Sequence, residues 1–498
     1  MTLRSASHRV AGVALSLAMI GTVSACAGQT IPGHPRPSAD VSPADVAGVP
    51  VTEGPTGQRP GVANAHLRVR GYAGTPMDKL AVNAISDLDT FWAKTMPADF
   101  GKRFKPVRVL RSFDSAGTEV QVCGHSSEGV ANAVYCPSED SVSWDRGALL
   151  PALDKKFGPL SVVSVFAHEL GHAVQFRLGV TRTTPTIVQE QQADCYAGSF
   201  IRWVADGHAK HFRMSTGDGL NEVLSTMMYI RDQVGTTADN PSADGSSFDR
   251  VTAFQFGFED GATRCGKIDL TEVNQRVTEL GFTHASEANT DNLPVDDASL
   301  QLLDQSLNAA FQQNAADPPK IITNAGTCAD GTGTAPASFC PVDNTIDVDE
   351  AALNQLAALP AGTTLLPADA PRSTTSAGGP VGPGLGDFAA FTEVASRYAL
   401  AVQKYLGIPL DDKNAGLRTA CLTGAWAGVI RHHTSATTTQ QLLLGPGDLD
   451  EAVAQLLSPT SLIAAGIDGN KVPAGFARVQ SFQDGFLQGS TVCTTQFG

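Results

Sequence analysis

The segment VVSVFAHELGHAV, residues 162–174, decides how this chain is read. Its apolar run predicts a helix over about 159–178, closed at Leu178-Gly179, where glycine adopts a left-handed cap without steric cost. On a helix, the four-residue step from His168 to His172 puts both imidazoles on one face, about 6 Å apart at Cβ, close enough to share a metal ion. Glu169 then sits beside that ion. Zinc held by neutral imidazoles lowers the pKa of bound water towards ~7, and an adjacent carboxylate can take its proton and pass it to a leaving amine. The bland competitor is one turn of an amphipathic core helix whose polar residues face solvent.

A third ligand discriminates between the two. Beyond the turn-like LGVTRTTPT comes EQQADCYAG, residues 190–198, a second helical segment. Two antiparallel helices would aim Glu190 at the same ion and leave the fourth position open. Asp194, one turn on, would accept the free ring N–H of a ligating histidine. The alternative exchanges these roles, with Asp194 as ligand and Glu190 in support.

The N-terminus addresses location. Arg4, His8 and Arg9 precede an apolar stretch from Val10 to about Val23, too short for a comfortable membrane span. It closes with Val23-Ser24-Ala25-Cys26, the arrangement cleaved before a lipid-modified cysteine. Residues 1–25 are therefore expected to be a signal peptide, Cys26 the lipidation site, and 26–64 a flexible tether rich in Pro, Gly, Ala and Ser. This places the protein at the cell membrane, lipid-anchored on the extracytoplasmic side. Of nine cysteines, Cys26 leaves eight, an even number that in an oxidising exterior predicts four disulfides. Cys123 and Cys136 flank a hairpin-like segment, and Cys328 and Cys340 a short loop. The remaining four would pair as Cys195 with Cys265 and Cys421 with Cys493. No CxxC spacing supports zinc binding by these thiols. A net charge of −15 without basic clusters argues against nucleic acid as a partner.

The order CGHSSEGVANAVYCPSEDSVSWD, VFAHELGHAVQFRLG, EQQADCYAG and RVTAFQFGFEDG resembles the bacterial neutral zinc metallopeptidase family, with a pattern running from about 70 to 270. With the anchor signal included, the layout is similar to that of a mycobacterial lipoprotein peptidase. The resemblance implies a gluzincin-like α+β fold, one Zn2+ per chain held by His168, His172 and Glu190, Glu169 as general base, and a peptide or protein as substrate.

A second feature is an internal repeat. Phe248-x-Arg250-Val251-x-x-Phe254-Gln255-x-Gly257-Phe258-x-x-Gly261 with Cys265 recurs as Phe476-x-Arg478-Val479-x-x-Phe482-Gln483-x-Gly485-Phe486-x-x-Gly489 with Cys493. VFAHELGHAVQFRLGV then aligns with EVASRYALAVQKYLGI, so His168, Glu169 and His172 become Ser396, Arg397 and Leu400, while Glu190 and Asp194 fall against Gly416 and Ala420. The expected organisation is a zinc peptidase domain at 65–280 followed at 281–498 by a degenerate, metal-free copy. By the same comparison Arg250 and Gln175 read as structural, since Arg478 and Gln403 persist without the ligands.

Residues 76–94 read as an amphipathic helix, and 105–111, 118–123, 130–136 and 140–145 as strands of a small, largely antiparallel sheet whose edge either receives an extended peptide or is covered by a loop. Candidates for stabilising an oxyanion are His125, Tyr135, Tyr196, Tyr229 and His211. The function expected is a membrane-anchored zinc endopeptidase. The alternative is a non-hydrolytic surface binding protein with a structural or vestigial zinc, against which the intact Glu169 argues.

Overall fold

A computed structural model describes residues 41–498 apart from 182, 233, 238–239, 241–242, 277–291, 313–316, 324–326, 330, 359–384 and 432–441. The signal peptide, Cys26, the 280/281 boundary and most of the Gly/Pro-rich insertion from about 360 to 386 lie outside the described residues. No described helix is long and apolar enough to cross a membrane.

The stretch 41–64 does not fit the tether expected from its composition. Strands β1 (Asp45–Val46) and β2 (Val49–Pro50) form a hairpin, and β3 (Gly57–Gln58) pairs antiparallel with β10 (Phe212–Arg213). Arg59 donates to the Phe212 carbonyl at 2.8 Å, and the Thr52 and Thr216 side chains lie 3.3 Å apart. Gly57, at φ 109°, passes so near Pro159 that a Cβ there would stand 2.7 Å from the proline Cγ. Backbone hydrogen bonds to a distant strand, invisible to composition, hold this segment against the domain.

Strand β4 (Val69–Arg70) leads into α1 (Pro76–Phe100), which is capped by the Thr75 side chain and ends at Gly101, φ 62°. Next come β5 (Val109–Phe113), the small β6 (Gln121–Val122) and β7 (His125–Ser126) hairpin, β8 (Ala133–Cys136) and β9 (Ser141–Asp145). The main sheet has the order β4-β5-β9-β8. Its β4–β5 and β5–β9 pairings are parallel and only β8–β9 is antiparallel, so the expected largely antiparallel sheet is corrected. Helix α1 carries the chain back across the sheet between β4 and β5, a crossover that makes those strands parallel.

Helices complete the first half: α2 (Leu149–Phe157), α3 (Pro159–Leu178), α4 (Thr186–Ala205), α5 (Asp218–Tyr229), α6 (Ser247–Asp260), α7 (Ala262–Cys265) and α8 (Leu270–Arg276). Helix α3 is buried around nearly its whole circumference, which explains its apolar sequence. Helices α4 and α6 meet backbone to backbone: a Cβ on Gly198 would lie 2.0 Å from the Phe254 carbonyl oxygen, and one on Gly257 1.7 Å from that of Cys195. Only glycine fits at such a crossing. The Cys195–Cys265 disulfide staples it, and Cys123–Cys136 ties the β6–β7 turn to β8.

The second half follows the same order of elements: α9 (Asp297–Phe311), β11 (Lys320–Thr323), β12 (Ala337–Cys340), β13 (Thr345–Val348), α10 (Glu350–Ala357), α11 (Asp387–Tyr405), α12 (Ala415–Ile430), α13 (Asp448–Leu457), α14 (Gly475–Gln488) and α15 (Ser490–Gln496). Its sheet, β11-β13-β12, repeats the directions of β5-β9-β8. Glycines 424 and 485 make the same reciprocal approach, where an added Cβ would stand 1.9 Å from Phe482 O and 1.8 Å from Cys421 O, beside the disulfide Cys421–Cys493. Cys328–Cys340 is the fourth disulfide. The halves join through α6 and α14, where Phe248 meets Phe486 at 5.4 Å between ring centroids and Phe258 meets Phe476 at 5.1 Å. Because Phe248 matches Phe476 in sequence and Phe258 matches Phe486, the contact is reciprocal, like the isologous interface of a two-fold dimer.

Candidate metal centre

Helix α4 runs antiparallel to α3 and so close that a Cβ on Gly171 would stand 3.0 Å from Ala193 backbone atoms. This approach brings the second carboxylate to the histidines. Glu190 Oε2 lies 3.1 Å from His168 Nε2 and 3.3 Å from His172 Nε2, and the two Nε2 atoms are 3.1 Å apart. Each ring's other nitrogen is occupied. His168 Nδ1 is 2.8 Å from Asp194 Oδ1, and His172 Nδ1 is 2.9 Å from Gln175 Oε1. Acceptors at both Nδ1 atoms assign the ring protons there, leaving two imidazole lone pairs and a carboxylate converging on one point. Three such donors repel one another unless a cation lies between them, so the residues fit a divalent metal with His2Glu ligation.

The field at this point is negative. Burial works against a charged His168, but Asp194 and then Glu190 outweigh it and lift its pKa to about 10. Burial likewise penalises ionised Glu190, yet His172 and His168 hold it well below the usual carboxylate range. A potential that favours protons on buried imidazoles also favours a metal ion in their place. The alternative in which Asp194 coordinates is not the arrangement seen: its Oδ1 faces the Nδ1 side of His168, away from the converging Nε2 atoms, and also accepts from Arg250 Nη2 at 2.9 Å.

Glu169 is buried at the rim of this group and accepts the backbone N–H of Tyr135, on β8, at 2.6 Å. Burial raises its pKa, against the lowering influence of His168 and His172. A cleft of about 1000 Å³ opens over Glu169, the two histidines and Glu190, with β8 along one wall. Strand β8 is the sheet's edge strand, so the sheet edge lies at the cleft.

The structure sorts the five oxyanion candidates. Tyr196 is buried edge-on to Trp92, His211 is buried in a 2.7 Å contact with Asp87, and His125 sits on the exposed β7; none of these lines the cleft. Tyr135 lines it, but its hydroxyl donates to Asp140, and burial, with that partner, pushes its pKa up to about 12. Tyr229 also lines the cleft, its ring centroid 4.4 Å from Lys156 Nζ.

Two residues read from sequence as structural touch this group. Gln175 holds His172 and donates to the Gln189 carbonyl at 2.6 Å; its counterpart Gln403 donates to Thr419 and accepts from Arg418. Arg250 braces Asp194, whereas Arg478 donates to the Leu456 carbonyl. Each keeps a comparable packing partner in both halves, and only in the first does it also reach the site, Gln175 at His172 and Arg250 at Asp194. The signal that could have found them is their spacing: Gln175 lies one turn after His172.

Residues 45–267 match the protein family described as Putative neutral zinc metallopeptidase. The match begins inside the 41–64 stretch, in keeping with its packing against the domain. No curated protein and no solved structure matches the chain.

Proposed function

We propose that this chain is an extracytoplasmic zinc endopeptidase, held to the cell membrane by lipid on Cys26, in which residues 281–498 are a degenerate copy of the peptidase fold serving as scaffold. The observation that carries the reading is the convergence of His168, His172 and Glu190 within 3.3 Å at the floor of a cleft, with Glu169 beside them. Those three residues would hold the ion. Zinc, when bound, supplies a Lewis acid that polarises the peptide carbonyl and acidifies water.

The chain's own residues do the rest. Glu169 takes a proton from the attacking water and returns it to the leaving amine. The Tyr135 N–H orients its carboxylate. Asp194 fixes the His168 tautomer and is itself braced by Arg250, while Gln175 does the same for His172. Tyr229 is the phenol placed to donate to the oxyanion. An extended substrate joins the β8 edge by strand pairing. Four disulfides support an oxidising compartment, as does the lipoprotein signal in the sequence.

The test exposes a diverse peptide mixture to zinc-loaded protein lacking residues 1–26 but retaining 41–64, with Glu169→Ala alongside, and identifies cleaved bonds by mass spectrometry. Cuts reduced about 10²–10⁴-fold in the variant are expected. Equal cutting by both would remove Glu169 from its role. No cutting by the wild type would favour a binding protein with a structural zinc.

A further inference from the structure

One carboxylate lines the cleft besides the proposed ligand Glu190 and the proposed base Glu169. Asp244, between α5 and α6, has a side chain 36% exposed, and Glu190, His168, Asp194 and Arg250 are its charged neighbours. Behind it the buried Asp232 accepts the N–H groups of Asp244 and Gly245, both at 2.8 Å, and so fixes the backbone that presents Asp244.

Arg250 is the only lysine or arginine among the described residues lining the cleft. Its Nη2 is taken by Asp194 at 2.9 Å and its Nη1 donates to the Ile230 carbonyl at 3.1 Å, leaving Asp244 Oδ2 4.0 Å from that Nη1. One guanidinium, 3% exposed, thus serves two carboxylates, and the better geometry goes to Asp194. Much of the remaining wall is apolar, including Val130, Val134, Leu149, Val165, Phe176 and Ile230. A partly exposed, incompletely compensated carboxylate in such a cleft attracts positive charge, and it does so most strongly where apolar walls exclude water.

The second half offers an internal control. Val472 precedes Arg478 by the same six residues that separate Asp244 from Arg250, so the acid is present only in the half that has the cleft.

We infer that Asp244 is a specificity-determining residue that accepts a cationic group of the substrate, a Lys or Arg side chain or a free α-amino group, close to the cleaved bond. The inference rests on the peptidase reading for its chemistry, but its charge recognition can be measured without turnover.

The experiment uses zinc-loaded protein and peptide pairs that differ by one residue, lysine against the uncharged norleucine, moved through the positions flanking the cleaved bond. Each peptide is made with a free and with an acetylated N-terminus. The wild type is expected to favour the cationic member about tenfold to a hundredfold in kcat/KM at one position. That ratio falls towards one in Asp244→Asn and is retained in Asp244→Glu, which guards against a merely structural effect. A preference for the free over the acetylated form of one peptide, lost in Asp244→Asn, identifies the α-amine; a lysine preference that survives acetylation identifies the side chain. A wild-type ratio near one in both comparisons, lysine against norleucine and free against acetylated N-terminus, or a ratio undiminished in Asp244→Asn, overturns the inference. If the wild type cleaves nothing, the peptidase reading fails by itself, and the same pairs are titrated onto zinc-loaded Glu169→Ala protein by fluorescence anisotropy. Tighter binding of the lysine peptide, or of the free over the acetylated form, that disappears in the Glu169→Ala, Asp244→Asn double variant sustains the inference; equal binding in both comparisons overturns it.

Discussion

Helices α3 and α11 hold the same place in their halves, but one faces a cleft and the other a filled interior. At the position of Glu169 stands Arg397, fully buried, donating to the carbonyls of Leu462, Ala465 and Gly466 at 2.7 to 3.2 Å. Glu393, one helical turn earlier, accepts the Leu462 N–H at 3.0 Å and the Gln455 amide. At the position of Glu190 stands Gly416, where a Cβ would lie 2.4 Å from the Ala464 carbonyl oxygen. The chain around 461–467 therefore occupies the space that is a cleft in the first half. Among the described residues the counterparts of the three ligands are replaced and a polar network stands beside them, because a buried guanidinium persists only where acceptors surround it.

The comparison breaks most decisively on metal content. His172→Ala or Glu190→Ala should take zinc from one per chain to near zero, with activity lost, by elemental analysis and the peptide digest. Conversely, Ser396→His, Leu400→His and Gly416→Glu together should add no second zinc, because the Ala464 carbonyl fills the site; a stoichiometry of two would refute the filled-cleft account.

Structural features should behave alike in both halves. The long disulfides close spans of 70 and 72 residues, so replacing either pair by serine should cost about 4 kcal/mol of stability, nearly equally, in denaturant titrations. A much larger loss from one half would show unequal load-bearing.

Next in size is Arg397→Met, which strips three buried carbonyls of their donor and leaves Glu393 without its neighbouring charge. A loss of about 3 kcal/mol with unchanged zinc content is expected. Loss of zinc instead would mean that the second half shapes the first half's site.

An effect of similar size depends on pH. Burial, opposed by its donors, pushes Glu393 from 4.5 up to about 7. A folded pKa above the unfolded one favours the protonated carboxyl, so the contribution is complete below pH ~4.5 and is lost, on the order of 3 kcal/mol, as pH rises through ~7. Glu393→Gln should therefore gain stability relative to wild type between pH 5 and 8. Parallel denaturation midpoints across that range would show that Glu393 does not titrate there.

Much of the site was legible in the chain. The phase of a helix follows from local periodicity, so His168 and His172 fell on one face before any packing was known. The disulfide pairs followed from counting and from the two short segments that Cys123, Cys136, Cys328 and Cys340 flank. The sheet's direction did not, because it depends on α1 crossing between strands. Nor did the packing of 41–64, whose partners are strand β10 and Pro159.

The sequence by itself determined which residue types stand on which helix face, because backbone geometry links spacing to direction. Only the tertiary structure decided that Glu190 reaches the histidines, that Gln175 and Arg250 brace them, that Asp244 enters the cleft and that residues near 464 fill its counterpart. Those outcomes depend on how closely helices and loops approach one another, and a close approach is set by contacts between residues far apart in the chain.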